Sequence, residues 1–281
     1  MQDIYSIRGE RMIKLAMTGA LGRMGSVMRS HLKSQPDFKL VLAISHRLGS
    51  RELDDDLKRE LEGVQLAGSF AGVDPKNIDV ILDFSVPEAA AEYACFAGRH
   101  GIPMVMGTTG FNQQQLDKLA ECLSDVPCLV SPNMSLMMNV IFRLVGNATV
   151  VLDDYNVDVE ITERHHRGKR NAPSDTALKL AQIVAEKRHW PFPEVVRHDR
   201  WGMIGEREQR EIGIQCLRGG DIFSEHGIMF AGLGERVEIV HRAHSLESYA
   251  RGAVRALRWI VQQPPGVYDM LDMLGLSEVL Y

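Results

Sequence analysis

The sequence predicts an α/β protein: a doubly wound parallel sheet in the N-terminal half, followed by an α+β region with a mixed, largely antiparallel open sheet. Three observations predict it. Apolar strand runs alternate with helical runs up to about residue 136. Those apolar runs are nearly unbroken, as in strands covered on both faces. From about Asn156 the pattern changes to two-residue alternation with glycine-rich turns, as in a sheet with one open face.

The first element is the strand Ile13 to Met17. Gly19, Gly22 and Gly25 follow it, and then Met24, Val27, Met28 and Leu32 recur at helical spacing. Strand, glycine turn and helix in that order form the dinucleotide-binding geometry of a Rossmann-like sheet. Small residues let the backbone approach a pyrophosphate, and the helix N-terminus supplies free N–H groups and a positive dipole. The spacing is GxxGxxG rather than GxGxxG, and a tight turn without a ligand is the other reading. The second strand, FKLVLAIS, ends at His46-Arg47, where an NAD-selective site has an acid for the ribose 2′-hydroxyl. His46 and Arg47 suit a 2′-phosphate instead, which tilts the expected cofactor from NADH towards NADPH.

Three more strands follow: IDVILDFSV (78–86), IPMVMGTTGF (102–111) and PCLVSPNMS (127–135). Their C-terminal ends carry Ser85, Gly107 with Thr109, and Ser131 with Asn133. Such ends are where an open α/β sheet binds its ligand. The helical stretches PEAAAEYACFAGRHG and NQQQLDKLAECLSD lie between them. In the second half, YNVDVEITERHH, REIGIQCLRGGD, SEHGIMFAGLGE and RVEIVHRAHS read as strands. One helix, TALKLAQIVAEKRHW, lies among them, and SLESYARGAVRALRWIVQQ closes the pattern. The expected division is a dinucleotide-binding domain of 1–136 and 246–281, and a substrate-binding and oligomerisation domain of 137–245.

The stretch ERHHRGKRNAPSDTAL (163–178) carries the chemistry. His165 and His166 end a strand, Lys169 follows a turn, and Ser174 stands as N-cap with Asp175 and Thr176 in the first helical turn. Two imidazoles, an ammonium and free backbone N–H groups suit a small dianion. A histidine is a suitable general acid where a hydride adds to a double bond and a proton must reach its other end. A solvated basic loop is the bland alternative.

The bulk composition excludes other classes. The chain has 281 residues, 45% hydrophobic and 25% charged, with a net charge of −5. That balance argues against a nucleic-acid partner, and no apolar run is long enough to span a membrane. Residues 1–12 lack the apolar core of a secretory signal. The four cysteines show no CxxC spacing, so reduced thiols, a cytoplasmic location and no metal are expected.

The combination resembles the dihydrodipicolinate (4-hydroxy-tetrahydrodipicolinate) reductase family across nearly the whole chain after Met12. Its carriers are GALGRMG (19–25), DFSVPE (83–88), GTTGF (107–111), SPNMS (131–135), ERHHRGKRNAPSDTA (163–177), RGGDI (218–222) and GVYDMLDMLGL near the end. The resemblance implies hydride transfer from NADPH or NADH to a cyclic unsaturated dicarboxylate of diaminopimelate and lysine biosynthesis, in a homotetramer built through the second sheet. It implies His165 as general acid with Lys169 as its partner, and His166 and Thr176 as substrate contacts. It implies Gly19, Gly22, Arg23, Met24 and Gly25 as the cofactor loop. Phe84, Ser85, Gly107, Thr109, Ser131, Asn133 and Met134 match residues that line the nicotinamide side. One departure bears on the substrate. The family motif has glycine at the position of Asp175, and its backbone N–H meets a substrate carboxylate. A like charge there opposes a dianion, so two readings stay open beside the leading one: a paralogous reductase of another small imine or enamine acid, and a nucleotide-binding scaffold without turnover.

Overall fold

The computed structural model describes residues 12–46, 48, 53–198 and 200–277. In chain order the first elements are β1 (Ile13–Thr18), α1 (Arg23–Leu32), β2 (Phe38–Ile44), α2 (Asp55–Glu60) and β3 (Gln65–Ala67). Then come β4 (Val80–Asp83), α3 (Pro87–His100), β5 (Met104–Met106), α4 (Gln113–Leu123) and β6 (Pro127–Val130). The second group is α5 (Leu136–Val151), β7 (Asp158–His165), α6 (Asp175–Lys187), β8 (Val196–Arg197), β9 (Ile212–Arg218), β10 (Ser224–Ala231) and β11 (Arg236–Ala243). The chain ends with α7 (Glu247–Ile260), β12 (Gly266–Tyr268) and α8 (Met270–Leu274). It divides into two compact units. One holds the chain through Met134 plus Tyr249–Met273; the other holds Ser135–Ser248 plus the chain from Leu274.

The first unit is built on a seven-stranded sheet of order β12-β6-β5-β4-β1-β2-β3. Every pairing in it is parallel. The run to the edge reverses between β1 and β4, where Thr18 stands opposite Asp83. This is the switch point at which such sheets open a crevice beyond the strand ends. Its strands are apolar because both faces are covered: Leu15, Met17, Ile81, Leu82, Met104 and Leu129 are fully buried. Helix ends obey local chemistry. α4 opens with a capping box in which Asn112 and Gln115 satisfy each other's backbone N–H groups.

One expectation is corrected in this unit. Cys95 on α3 and Cys122 on α4 form a disulfide, with Cα atoms 4.7 Å apart. The two helices pack side by side and bring together residues 27 apart in sequence. The thiols of Cys128 and Cys216 are free, and burial pushes the Cys128 thiol up to about 12.

The second unit carries a five-stranded sheet of order β11-β10-β7-β9-β8. The β11, β10 and β7 pairings are antiparallel and the β7, β9 and β8 pairings parallel. One face packs under α5 and α6, where Phe142, Leu180 and Val184 meet Val159, Ile161, Ile214, Ile228 and Phe230. The opposite face holds an ion-pair network. Arg200 pairs with Glu160 at 2.7 Å and also with Glu211, and Arg207 pairs with Asp158 at 2.7 Å.

Candidate active site

The residues expected to hold a cofactor lie in the first unit, at one end of its sheet. Gly19 follows β1 with φ of 66°, in the left-handed region that glycine adopts without strain. A Cβ there would come within 2.0 Å of the Phe84 carbonyl oxygen, so only glycine lets the β1 and β4 ends close together. Gly22 is the N-cap of α1 with no side chain capping it. Exposed Arg23, half-buried Met24 and buried Gly25 form the first turn. Half-buried Phe84 and Ser85 leave β4, and half-buried Gly107 and Thr109 leave β5. A Cβ on Gly107 would meet the Phe84 ring at 2.2 Å, so that ring rests against bare backbone. Ser131, Asn133 and Met134 leave β6 and are buried; the Ser131 hydroxyl donates to the Asn133 carbonyl at 3.0 Å. His46 lies exposed in the turn after β2, and Arg47 is outside the described residues.

A residue the sequence reading passed over organises these ends. Asp83, fully buried at the end of β4, accepts hydrogen bonds from the Thr18 and Ser85 hydroxyls. Burial pushes the Asp83 carboxyl above its usual range, and the hydroxyl partners offset that only in part.

The proton-carrying residues lie in the second unit. β7 alternates strictly, placing Val159, Ile161, Glu163 and His165 on its buried side. His165 is therefore buried, although it ends the strand. A tight turn follows, in which the Lys169 N–H donates to the His166 carbonyl at 3.1 Å and the Gly168 N–H to His166 Nδ1 at 3.2 Å. It leaves His166 and Lys169 half-buried. The chain then enters α6 through Ser174, whose hydroxyl caps the Ala177 N–H at 3.2 Å, as expected of an N-cap. Thr176 is half-buried and Asp175 exposed, both in the first turn of α6.

Glu163, Arg218 and His226 complete this cluster, and the sequence reading assigned none of them a role. The fully buried Glu163 accepts the Ser174 N–H at 3.0 Å and an Arg218 N–H at 2.7 Å. Its other oxygen neighbours are His165 Nδ1 at 3.6 Å and His226 Nε2 at 3.7 Å. Ser174 Oγ lies 2.9 Å from His226 Nε2. Burial alone would raise the Glu163 carboxyl. Hydrogen bonds from Ser174, Arg218 and Cys216 outweigh it and hold the group at about 2. Burial lowers His165 to about 4 against the pull of Glu163, with Lys169, Arg218 and His166 adding to the fall. Burial likewise takes His226 to about 3. Glu163, His165 and His226 present ligand-type atoms within 4.8 Å of one another. The Glu163 carboxylate is already met by a guanidinium and a backbone N–H, donors that a cation would have to displace.

Comparison with known proteins follows this geometry. The family model for the dihydrodipicolinate reductase N-terminus matches residues 13–134, and that for the C-terminus matches 137–274. A 4-hydroxy-tetrahydrodipicolinate reductase of Syntrophobacter fumaroxidans is 43% identical over 269 residues, covering 95% of this chain and all of its own. One from Syntrophus aciditrophicus is 42% identical over 268 residues, covering 94% of this chain and 99% of its own. Among solved structures, dipicolinate bound dihydrodipicolinate reductase from Paenisporosarcina sp. TG-14 gives a TM-score of 0.71 at 24% identity. It covers 93% of this chain and 99% of that one, a likeness of fold. No helix among the described residues is long and apolar enough to cross a membrane. The chain belongs to the dihydrodipicolinate reductase family.

Proposed function

We propose that this chain catalyses the NAD(P)H-dependent reduction of 4-hydroxy-tetrahydrodipicolinate to tetrahydrodipicolinate, in diaminopimelate and lysine biosynthesis. Full-length relatives of that name above 40% identity support it. The observation that carries it in the structure is His165: an imidazole at a strand end, with an ionised carboxylate on its Nδ1 side and Lys169 one turn away.

The first unit fits a dinucleotide. The uncapped start of α1 and the hydroxyl-rich strand ends offer donors for a pyrophosphate, and Gly19 lets the β1 and β4 ends close together beside them. We assign Gly19, Gly22, Arg23, Met24 and Gly25 to the phosphates, and Phe84, Ser85, Gly107, Thr109, Ser131, Asn133 and Met134 to the nicotinamide side. His46 and Arg47, with no acid after Ile44, favour NADPH. Bound there, NAD(P)H supplies the hydride. The remaining steps belong to the second unit. Lys169, His166 and Thr176 with the α6 N-terminus hold the substrate's carboxylates. Loss of the substrate's 4-hydroxyl as water leaves a conjugated double bond; hydride adds at one end of it, and His165 donates the proton that completes its reduction. In the empty protein His165 is held at about 4. A bound dianion favours the imidazolium and raises that value, so the acid is charged when it is needed. Asp175, exposed at the start of α6, moderates substrate affinity through its like charge.

We further assign 1–136 with 246–281 as the cofactor domain and 137–245 as the substrate domain, in a cytoplasmic homotetramer formed through the ion-paired sheet face. The test of the activity mixes the purified protein with NADPH or NADH and freshly generated substrate, and follows loss of reduced-cofactor absorbance. Turnover at ordinary enzyme rates is expected. Tight cofactor binding with negligible turnover, not restored by Asp175→Gly, would overturn the proposal.

A further inference from the structure

We infer that Glu163, with Ser174 and His226, forms a positioning system that fixes the tautomer and charge of His165 for proton donation. The inference rests on the proposed reading of His165 as the proton donor.

Its first support is where the acid stands. The buried side of β7 reads Val159, Ile161, Glu163, His165, an apolar stripe interrupted by a carboxylate with no exposure at all. Burying a charge is costly unless donors replace its water. Here they do: the Ser174 N–H at 3.0 Å and Arg218 at 2.7 Å. The carboxylate is thereby pinned from α6 and β9 at once, with Oε2 facing the two imidazoles.

The second support is the arrangement of the hydrogens. The Ser174 N–H donates to Glu163 Oε2 at 3.0 Å, and Ser174 Oγ lies 2.9 Å from His226 Nε2. His226 Nε2 also lies 3.7 Å from that Oε2. His226, Ser174 and Glu163 thus form one polar cluster around the carboxylate. His165 Nδ1 is buried without a hydrogen-bond partner and lies 3.6 Å from the same Oε2. A small ring rotation closes that gap, and a carboxylate there draws the His165 proton to Nδ1.

The third support is the sign of the surroundings. The groups facing His165 are Glu163 on β7, His166 and Lys169 in the next turn, Arg218 on β9 and His226 on β10. Glu163 is the one anion among them, and Lys169, Arg218 and His166 oppose protonation of the ring. Without Glu163, no anion among these groups would favour the imidazolium.

If Glu163 serves only to fasten α6 to the sheet, its removal changes stability and leaves proton chemistry untouched. The test compares wild-type protein with Glu163→Gln and Glu163→Asp, measuring the pH dependence of kcat/KM alongside thermal unfolding. Activity that needs an imidazolium falls as pH rises through its pKa. Glu163→Gln should lower kcat/KM at least thirtyfold and move that basic limb to lower pH by about one unit. Glu163→Asp keeps the charge and should keep the limb near its wild-type position. A folded Glu163→Gln protein with an unmoved limb overturns the inference. Should that variant fail to fold, nitrogen-15 NMR of histidine-labelled wild type decides. In its complex with dipicolinate, His165 is expected to be protonated on Nδ1; a neutral ring protonated on Nε2 alone overturns the inference. Absence of wild-type turnover would strike at the proposed reaction instead, and the NMR result separates the two failures.

Discussion

Two buried carboxylates, one in each unit, are shifted in opposite directions. Asp83 ends β4 in the first unit and Glu163 lies on β7 in the second, both with no solvent exposure. Asp83 is met by hydroxyls, and burial wins: its carboxyl is raised. Glu163 is met by a guanidinium and a backbone N–H, and the partners win: its carboxyl falls to about 2. Depth alone does not set ionisation; the charge and number of donors do. The difference suits the two assigned tasks. A site for a pyrophosphate gains nothing from a second fixed anion, whereas a site that must protonate an imidazole needs one.

Mutations sharpen this contrast in order of effect. Lys169→Met should raise the substrate KM about 100-fold, because a charge-assisted contact of roughly 2–3 kcal/mol is lost, while cofactor affinity is unchanged. Equal losses in both would erase the division of labour between units. Next comes stability. Glu163→Gln breaks a buried ion pair and should cost about 3 kcal/mol in denaturant unfolding at neutral pH. Asp83→Asn keeps an acceptor for the Thr18 and Ser85 hydroxyls, removes a disfavoured charge and should cost under about 1 kcal/mol. Comparable losses in the two variants would mean that both acids are charged alike.

The pH dependence follows with its sign. His165 and His226 are lowered from 6.5 to about 4 and about 3 in the folded protein. The unfolded chain thus binds more protons below pH 6.5, and the stability these rings contribute is lost as pH falls towards 4 and 3. Glu163, lowered from 4.5 to about 2, adds a second loss between those values. The unfolding temperature should therefore decline steadily below pH 6.5, and Glu163→Gln should remove the lower part of that decline. The smallest effect is that of Asp175→Gly. An exposed like charge is worth up to about 1 kcal/mol, so the variant should bind a dicarboxylate up to about fivefold more tightly.

Much of the fold was legible because its signals are local. Strand and helix runs, the glycine turn after β1 and the Ser174 cap each lie within a few residues of sequence. α5 was missed because it is apolar on nearly every side, with Met137, Val140, Leu144 and Val151 exposed opposite its core residues. Such a helix has no periodic stripe to read. β3 and β12 are three residues each, too short for alternation to show. The disulfide and the Glu163 network share another cause. Cys95 meets Cys122 only through helix packing, and Glu163 meets Arg218 and His226 only through strand pairing, 55 and 63 residues away in sequence. The motif around His165 announced a proton donor. The groups around its ring come partly from that motif, in Glu163 and Ser174, and partly from two other segments, β9 with Arg218 and β10 with His226.

The central claim, that His165 is the proton donor of an NAD(P)H-dependent reduction, is tested most directly by rapid mixing. Wild type and His165→Gln, each saturated with NADPH, are mixed with freshly generated 4-hydroxy-tetrahydrodipicolinate and cofactor oxidation is followed in a single turnover. The account predicts equal cofactor affinity and an oxidation rate at least about 100-fold lower in the variant. A variant rate within a factor of about three of wild type, below the contribution expected of any general acid, would contradict it.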